Sequence, residues 1–128
     1  WIEGKNIFGK CLICPKEKRG EIIPALAKAI INWRITSNQA RTFSLMETIA
    51  IAISDNANQI AYAIRGELRE DKERPTATPR IDETTNADLY ITPIANSYVA
   101  GAVGSADALE KAEKKLIDLM MAFDYENQ

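Results

Sequence analysis

Few side chains in this sequence are of the types that perform catalysis. Its 128 residues include no histidine, the side chain most often used as a general acid or base near neutral pH. The sequence also has no glycine-rich phosphate loop, no serine nucleophile motif and no carboxylate pair with a meaningful spacing. We therefore expect a protein that is not an enzyme, has no cofactor, and acts by binding.

The two cysteines, Cys11 and Cys14, have a spacing that occurs in metal and redox sites. A structural zinc site needs four ligands, so this pair would form one only with ligands from another chain. A thioredoxin-like redox pair would open a helix, whereas Pro15 and a charged segment follow here. We favour a third interpretation, in which they are small apolar residues of a strand from Lys10 to Cys14.

The polar segment from Ser37 to Phe43, here called the connector, carries the groups best suited to binding a ligand. The guanidinium of Arg41 can hold a phosphate through two parallel hydrogen bonds, and Asn38 can add a contact to a phosphate or a 2′-OH. Arg41 fits equally well as a structural residue that satisfies carbonyl groups at a helix end. Both interpretations of Arg41 remain open from the sequence.

A helix and a strand are predicted on the two sides of the connector. Before it, apolar residues recur at three- and four-residue steps and predict a helix whose core face comprises Ile23, Leu26, Ala27, Ile30 and Trp33. Pro24 is expected in the first turn of that helix, where its missing N–H is not needed. After the connector, Ile49, Ile51 and Ile53 alternate with alanines, which predicts a strand.

Positive charge is concentrated in the first third of the chain. Residues 1–41 contain eight Lys or Arg against three Glu, whereas residues 42–128 contain eight against fifteen acidic residues. We expect Lys16, Lys18 and Arg19 to form an exposed basic loop before the helix. Such a basic region fits binding to phosphates or to an acidic partner. It fits a solvated basic face equally well.

The middle of the chain is predicted to contain a second helix and a loop. Asn56 and its neighbours offer an N-cap for a helix that continues to about Glu70. Residues 71–88 contain two prolines and one large apolar side chain, which predicts an exposed loop. The alternative is a segment that folds on a partner, with Arg74 and Arg80 contacting phosphates.

The last third is predicted to hold a short strand and two helices. Residues 89–91 read as an extended piece, and the Ala- and Gly-rich residues 94–103 favour a closely packed helix. Ser105 is expected to begin an amphipathic core helix, whose apolar face comprises Leu109, Ala112, Leu116, Met120 and Phe123.

Length and composition indicate one globular domain, or a fragment of a larger one. The chain is 46% hydrophobic and 27% charged, which is ordinary for a soluble protein. It has no apolar run long enough for a membrane span and no signal-peptide pattern, so we expect a cytoplasmic protein. Because the chain opens at Trp1 rather than at a methionine, a fragment or processed product is expected.

A succession of these features resembles one family. The order of elements along the chain resembles the C-terminal part of the DevR-type backbone subunits of CRISPR Cascade complexes. That order is a strand, the basic run from Pro15 to Arg19, a long helix, the connector and an Ala/Ile strand. These RAMP-superfamily proteins coat crRNA. The family's turn motif corresponds here to Asn38, Ala40, Arg41 and Phe43. Family members are more than twice this length and usually have a proline where this chain has Ser44.

This resemblance implies an α+β fold with a partial RRM/ferredoxin-like core, in which helices pack on a small sheet. By residue count, this fold would be mostly helical. It implies a non-catalytic protein that polymerises along crRNA beside other Cascade subunits and leaves sequence recognition to base pairing. Asn38 and Arg41 would contact the RNA, while Lys16, Lys18 and Arg19 would attract it or contact the next subunit. The alternative is a small helical protein–protein interaction or assembly module without nucleic-acid binding.

Overall fold

The structure, a computed structural model, describes residues 1–33, 47–70 and 73–127. Helices make up 36% and strands 28% of it, which confirms the α+β class. Within these ranges the strands form three separate two-stranded antiparallel sheets. No helix in the same ranges combines the length and the apolar character needed to cross a membrane.

The chain opens with a hairpin of strands β1 (Ile2–Asn6) and β2 (Gly9–Ile13). Strand β2 confirms the first strand expected from the sequence to within one residue at each end. The tight turn requires Gly9, whose φ of 114° lies in a region that L side chains rarely adopt. Ile7 and Phe8 are almost fully exposed at the tip of this hairpin.

Helix α1 spans Lys16–Ile31 and begins earlier than the sequence suggested. Pro15 precedes it in an extended conformation, and the Arg19 N–H closes the first turn on the Pro15 carbonyl at 2.9 Å. The basic loop prediction for Lys16, Lys18 and Arg19 was therefore wrong, because these residues lie in the helix. The physical reason is that a Lys- and Glu-rich run has good helix propensity once a proline has fixed its start.

The face of α1 that is buried also differs from the expected one. The buried side chains are four residues apart: Ile23, Ala27 and Ile31. Three residues that the apolar pattern assigned to the core are exposed: Leu26, Ile30 and Trp33. Pro24 lies inside the helix rather than in its first turn, because the helix begins at residue 16. Apolar residues occur almost all round this helix, so their spacing alone did not select one face.

The second sheet pairs strand β3 (Ala50–Ile53) with strand β6 (Asp88–Ile91) in antiparallel register. Both strands were expected from the sequence, and the structure confirms them. Ile53 is buried, and Ile51 and Tyr90 pack against the same core. The alternating isoleucines therefore place one face of a short sheet against the helices.

Helix α3 (Ala108–Ala122) joins this sheet to α1 by packing on both. It begins three residues after Ser105, with Asp107 at the N-cap position. Three buried side chains form the core where the elements meet: Ile31, Ile53 and Ala112. Helix α3 thus covers the sheet, and α1 packs chiefly on α3.

The second helix is much shorter than the sequence suggested. Asn56 accepts a hydrogen bond from the Asn58 N–H at 3.0 Å and caps helix α2 (Ala57–Ile60), but strand β4 (Ile64–Arg69) follows. Strand β4 pairs with β5 (Thr76–Ile81), so the helix prediction beyond residue 60 was wrong. The residues of β4 fit a two-residue period as well as a helical one, and pairing with β5, the next strand in the chain, decided between them.

Strand β5 lies within residues 71–88, the segment expected to be an exposed loop, and most of its residues are exposed. Its register with β4 gives the hairpin one apolar face, formed by Ile64, Gly66, Leu68, Ala77, Pro79 and Ile81. On the other face Arg65 lies opposite Arg80, and Arg80 pairs with Glu67 at 3.2 Å. This amphipathic ribbon extends from the body of the protein.

A short 3-10 helix, Pro93–Ser97, and a turn replace the longer helix expected over residues 94–103. Thr92 precedes it and donates a hydrogen bond from its Oγ1 to the Ile49 carbonyl at 2.8 Å. Gly104 returns so close that a Cβ there would collide with the Thr92 carbonyl. The chain after β6 is therefore held against the entry to β3.

Candidate nucleic-acid interface

The connector residues expected to contact RNA, Asn38 and Arg41, lie outside the described residues. Their surroundings along the chain are described on both sides. Helix α1 ends at Ile31 before them, and strand β3 begins at Ala50 after them. The predicted helix before the connector and the predicted strand after it are therefore confirmed.

The first two basic residues of α1 are exposed. Lys18 forms an ion pair with Glu21 at 3.4 Å, and both side chains are solvated, so the pair adds little stability. Lys16 and Lys18 present their ammonium groups to solvent at the start of the helix. Since α1 has 16 residues, it is about 24 Å long. These lysines therefore lie at the start of the helix, whereas the connector follows the other end of the helix in the sequence.

Arg19 differs from these lysines because its side chain makes intramolecular contacts. Its Nη1 donates a hydrogen bond to the Cys14 carbonyl at 2.6 Å, and its Nη2 lies 3.8 Å from Glu126. The guanidinium also lies over the ring of Tyr125, 5.0 Å from the centroid. The side chain is only 15% exposed. Arg19 thus joins the start of α1 to the C-terminal tail.

The tail itself forms a hydrogen-bonded turn beside Arg19. The carboxylate of Asp124 accepts hydrogen bonds from the Asn127 side chain at 3.1 Å and from the Glu126 N–H at 3.0 Å. These bonds hold the pKa of Asp124 below its usual value. Lys5 of β1 donates its backbone N–H to the Glu126 carbonyl at 3.2 Å. The tail is therefore tied to both the first hairpin and α1.

Cys11 and Cys14 are free thiols at the end of the first hairpin, and each is half-buried. Cys11 lies in β2, as the strand interpretation predicted, whereas Cys14 directly follows the strand instead of lying in it. Among the described residues, no group of three or more histidine, cysteine or acidic side chains could hold a metal ion.

A cavity of about 300 Å³ opens at the C-terminal end of α1. Its apolar wall includes Ile31, Ile94 and Leu109, which come from α1, the 3-10 helix and α3. Trp33 and Glu47, the described residues on either side of segment 34–46, both line it. The cavity therefore lies where the chain leaves α1 for the connector and where it returns towards β3.

The rim of this cavity is rich in hydrogen-bond acceptors. Asn32 donates its Nδ2 to the Lys28 carbonyl at 2.9 Å, which leaves its Oδ1 as an acceptor. Thr48 donates its hydroxyl to the Ile31 carbonyl at 3.4 Å, which leaves the lone pairs of its oxygen. Glu47 is exposed and contributes a carboxylate. The rim therefore favours a ligand that presents N–H groups.

Sequence reasoning assigned Trp33 to the core and missed this cavity. The helix ends at Ile31, with Asn32 at the C-cap position, so Trp33 falls outside the helical period and is 71% exposed. The sequence signal that could have identified the site is Asn32, a residue typical of helix ends, directly before a tryptophan. The contributions of Ile94 and Leu109 could not be read locally, because they depend on how α3 packs.

No family model, curated protein or solved structure matches this chain. Function has to be assigned from the chemistry and positions of the side chains described above. Two features have no evident role in holding the fold together: the exposed lysines at the start of α1 and the acceptor-lined cavity at its other end.

Proposed function

We propose that this protein is a non-catalytic, crRNA-binding backbone subunit, or part of one, of a CRISPR interference complex in the cytoplasm. Its partners would be crRNA, other Cascade subunits and further copies of itself. The unit of α1, connector and β3 would be the part of an RRM-like core that holds the RNA. The observation that supports this proposal is that helix α1 precedes Asn38 and Arg41 in the chain and strand β3 follows them.

The mechanism is backbone binding. Arg41 would hold one phosphate through two parallel hydrogen bonds, and Asn38 would contact a neighbouring phosphate or a 2′-OH. Lys16 and Lys18, at the start of α1, would add attraction that does not depend on sequence. Arg19 would act indirectly by fixing the start of α1, since its guanidinium already contacts Cys14 and Tyr125. Base pairing would supply sequence recognition.

Fluorescence anisotropy with a labelled single-stranded RNA, measured over a range of salt concentrations, tests this function. Arg41→Ala should weaken binding and reduce the slope of log K against log salt by about one, because one phosphate contact is lost. Lys16→Ala and Lys18→Ala should give smaller losses. Lys114→Ala is the control, since this exposed lysine lies on α3, and it should bind like the wild type. Nanomolar binding that ignores both Arg41→Ala and added salt would refute the proposal.

A second candidate function is an assembly module that does not bind RNA. It is favoured by an exposed apolar stripe on α1, formed by Ile22, Leu26 and Ile30, and separately by the exposed Leu68 on the apolar face of the β4–β5 hairpin. Exposed contiguous apolar surface commonly marks a protein–protein contact. Two-stranded ribbons are also only marginally stable on their own in water.

Sedimentation of the purified protein without RNA separates the two functions. The assembly module predicts an oligomer that Leu26→Glu dissociates and that carries no excess absorbance at 260 nm. Ala25→Glu is the matched control, because Ala25 is exposed on the same helix but outside the stripe. A protein that stays monomeric without RNA and assembles only on adding it would exclude this second function.

A further inference from the structure

We propose that the cavity at the C-terminal end of α1 binds one unstacked base of the single-stranded RNA, an inference that rests on the function proposed above. The ring of Trp33 is the stacking surface. The acceptors on the rim bind the N–H groups on the edge of the base. The ligand is thus a nucleobase that presents an amino group, as guanine, adenine and cytosine do.

The exposure of Trp33 is the first support for this site. Because Trp33 is 71% exposed, its ring contributes little of the stabilising free energy that burial of a tryptophan side chain would provide. It stands at the mouth of a cavity whose wall includes Ile94 and Leu109. Proteins that bind single-stranded RNA commonly stack unpaired bases on such aromatic rings.

The chemistry of the rim is the second support, because it selects the base over the phosphate. The Glu47 carboxylate repels a phosphate group but accepts hydrogen bonds from an amino or ring N–H. The free Oδ1 of Asn32 and the hydroxyl oxygen of Thr48 add two further acceptors. Uracil presents two carbonyl oxygens and a single N–H donor, so it matches this rim poorly.

The position of the cavity is the third support. Trp33 and Glu47 bound segment 34–46 along the chain, and that segment carries Asn38 and Arg41. The proposed base contact and the proposed phosphate contacts are therefore neighbours in the sequence. In such an arrangement the phosphate contacts supply affinity, and the base contact fixes the position of the RNA strand on the protein.

Tryptophan fluorescence tests the site directly. The chain has two tryptophans, so Trp1→Phe leaves Trp33 as the only tryptophan whose emission is followed. The probes are a 12-nucleotide oligouridine and the same RNA with one central guanosine. The guanosine probe should bind more tightly and quench the emission of Trp33. Trp33→Ala should weaken its binding by about 5- to 150-fold without changing the salt slope, since no phosphate contact is lost.

Three further variants serve as controls. Trp33→Phe should restore part of the affinity, because a smaller ring still stacks. Tyr62→Ala removes another exposed aromatic that does not line the cavity, and it should bind like the wild type. Glu47→Gln should reduce the preference for guanosine over uridine. Melting curves should be nearly unchanged for Trp33→Ala, because the side chain is exposed.

The outcomes separate this site from the function on which it rests. If the RNA binds in a salt-dependent manner that Arg41→Ala weakens, while Trp33→Ala changes neither affinity nor emission, the base site is refuted and the function stands. If no RNA binds at any salt concentration, both fall. If guanosine monophosphate alone binds as tightly as the oligonucleotide, the cavity is a free-nucleotide site and the proposal is overturned.

Discussion

Adjacent isoleucines near the end of α1 provide a sharp test of the fold. Ile31 is 4% exposed and belongs to the core cluster, whereas Ile30 is 51% exposed. Both have the same side chain and neighbouring positions in one helix. Replacing each by alanine therefore compares burial with exposure at nearly constant helix context.

The magnitude follows from what surrounds Ile31. Ile→Ala in a core costs about 2–5 kcal/mol, made up of lost transfer free energy and the cavity left behind. Ile31 already lines two cavities of about 300 and 290 Å³, so its surroundings are loosely packed and the lower half of that range applies. Ile30→Ala should change the free energy of unfolding by less than about 0.5 kcal/mol, since alanine is also the better helix former.

Urea denaturation followed by circular dichroism measures both changes, and thermal melting provides a second reading. For a chain of 128 residues, 1 kcal/mol corresponds to a shift in Tm of about 3–5 °C, so Ile31→Ala should lower Tm by at least about 6 °C. Ile31→Val should give a smaller loss of about 0.5–1.5 kcal/mol.

A cost for Ile30→Ala that equals or exceeds the cost for Ile31→Ala would refute the assigned face of α1. The helix would then be rotated by about one residue, and the core would be the one expected from the sequence pattern. Each measurement is made at two protein concentrations. A loss in Ile30→Ala that grows with concentration reports association through the exposed stripe rather than packing within the chain.

Three further predictions concern stability. Arg19→Ala should destabilise the protein, and Arg19→Lys should restore little of the lost stability. The reason is that lysine lacks the planar guanidinium group that binds the Cys14 carbonyl and lies over the Tyr125 ring. If both variants were as stable in urea as the wild type, this prediction would be wrong. Gly104→Ala should lower the free energy of unfolding by about 1–3 kcal/mol, because the new Cβ would collide with backbone atoms of Thr92 and Pro93. Gly20→Ala should be neutral or stabilising, because Gly20 lies in helix α1 and its new Cβ would point into open space. The same urea titration compares the two variants. The Ser105 hydroxyl donates a hydrogen bond to the Asp107 carboxylate and lowers the pKa of Asp107 in the folded protein. This hydrogen bond contributes its full stability at pH values above the pKa of Asp107 in the unfolded chain. The contribution is lost as pH falls through the pKa of Asp107 in the folded protein. Ser105→Ala should therefore be less stable than the wild type at neutral pH and equal to it in acid, and a difference that persists in acid would show another cause.

The candidate site was only partly predictable from the sequence. The connector between a helix and a strand was identified because both flanking elements carry local periodic signals. The exposed position of Lys16 and Lys18 was expected, but the helix that contains them was not. Arg19 has the same residue type as a phosphate contact, and only the nearby Tyr125 shows that it holds the tail. The contact between Arg19 and Tyr125 could not be predicted from local sequence patterns, because the two residues are more than a hundred positions apart.

The sequence by itself determined the elements whose pattern is strong within a few residues. Alternating β-branched isoleucines specify β3, a proline ends β2, and a single apolar stripe on a charged background specifies α3. These signals are local because backbone geometry fixes which side chains share a face.

Only the tertiary structure decided the features that require a choice between equally apolar alternatives. Helix α1 has apolar residues on most of its surface, so contact with α3 selected Ile31 over Ile30. The residues of β4 suit a helix or a strand, and pairing with β5, the next strand in the chain, decided in favour of a strand. Trp33 reached the rim of a cavity because the helix ended two residues before it. These outcomes depend on contacts between elements, such as α1 with α3 and β4 with β5, and the periodicity within a single element does not contain that information.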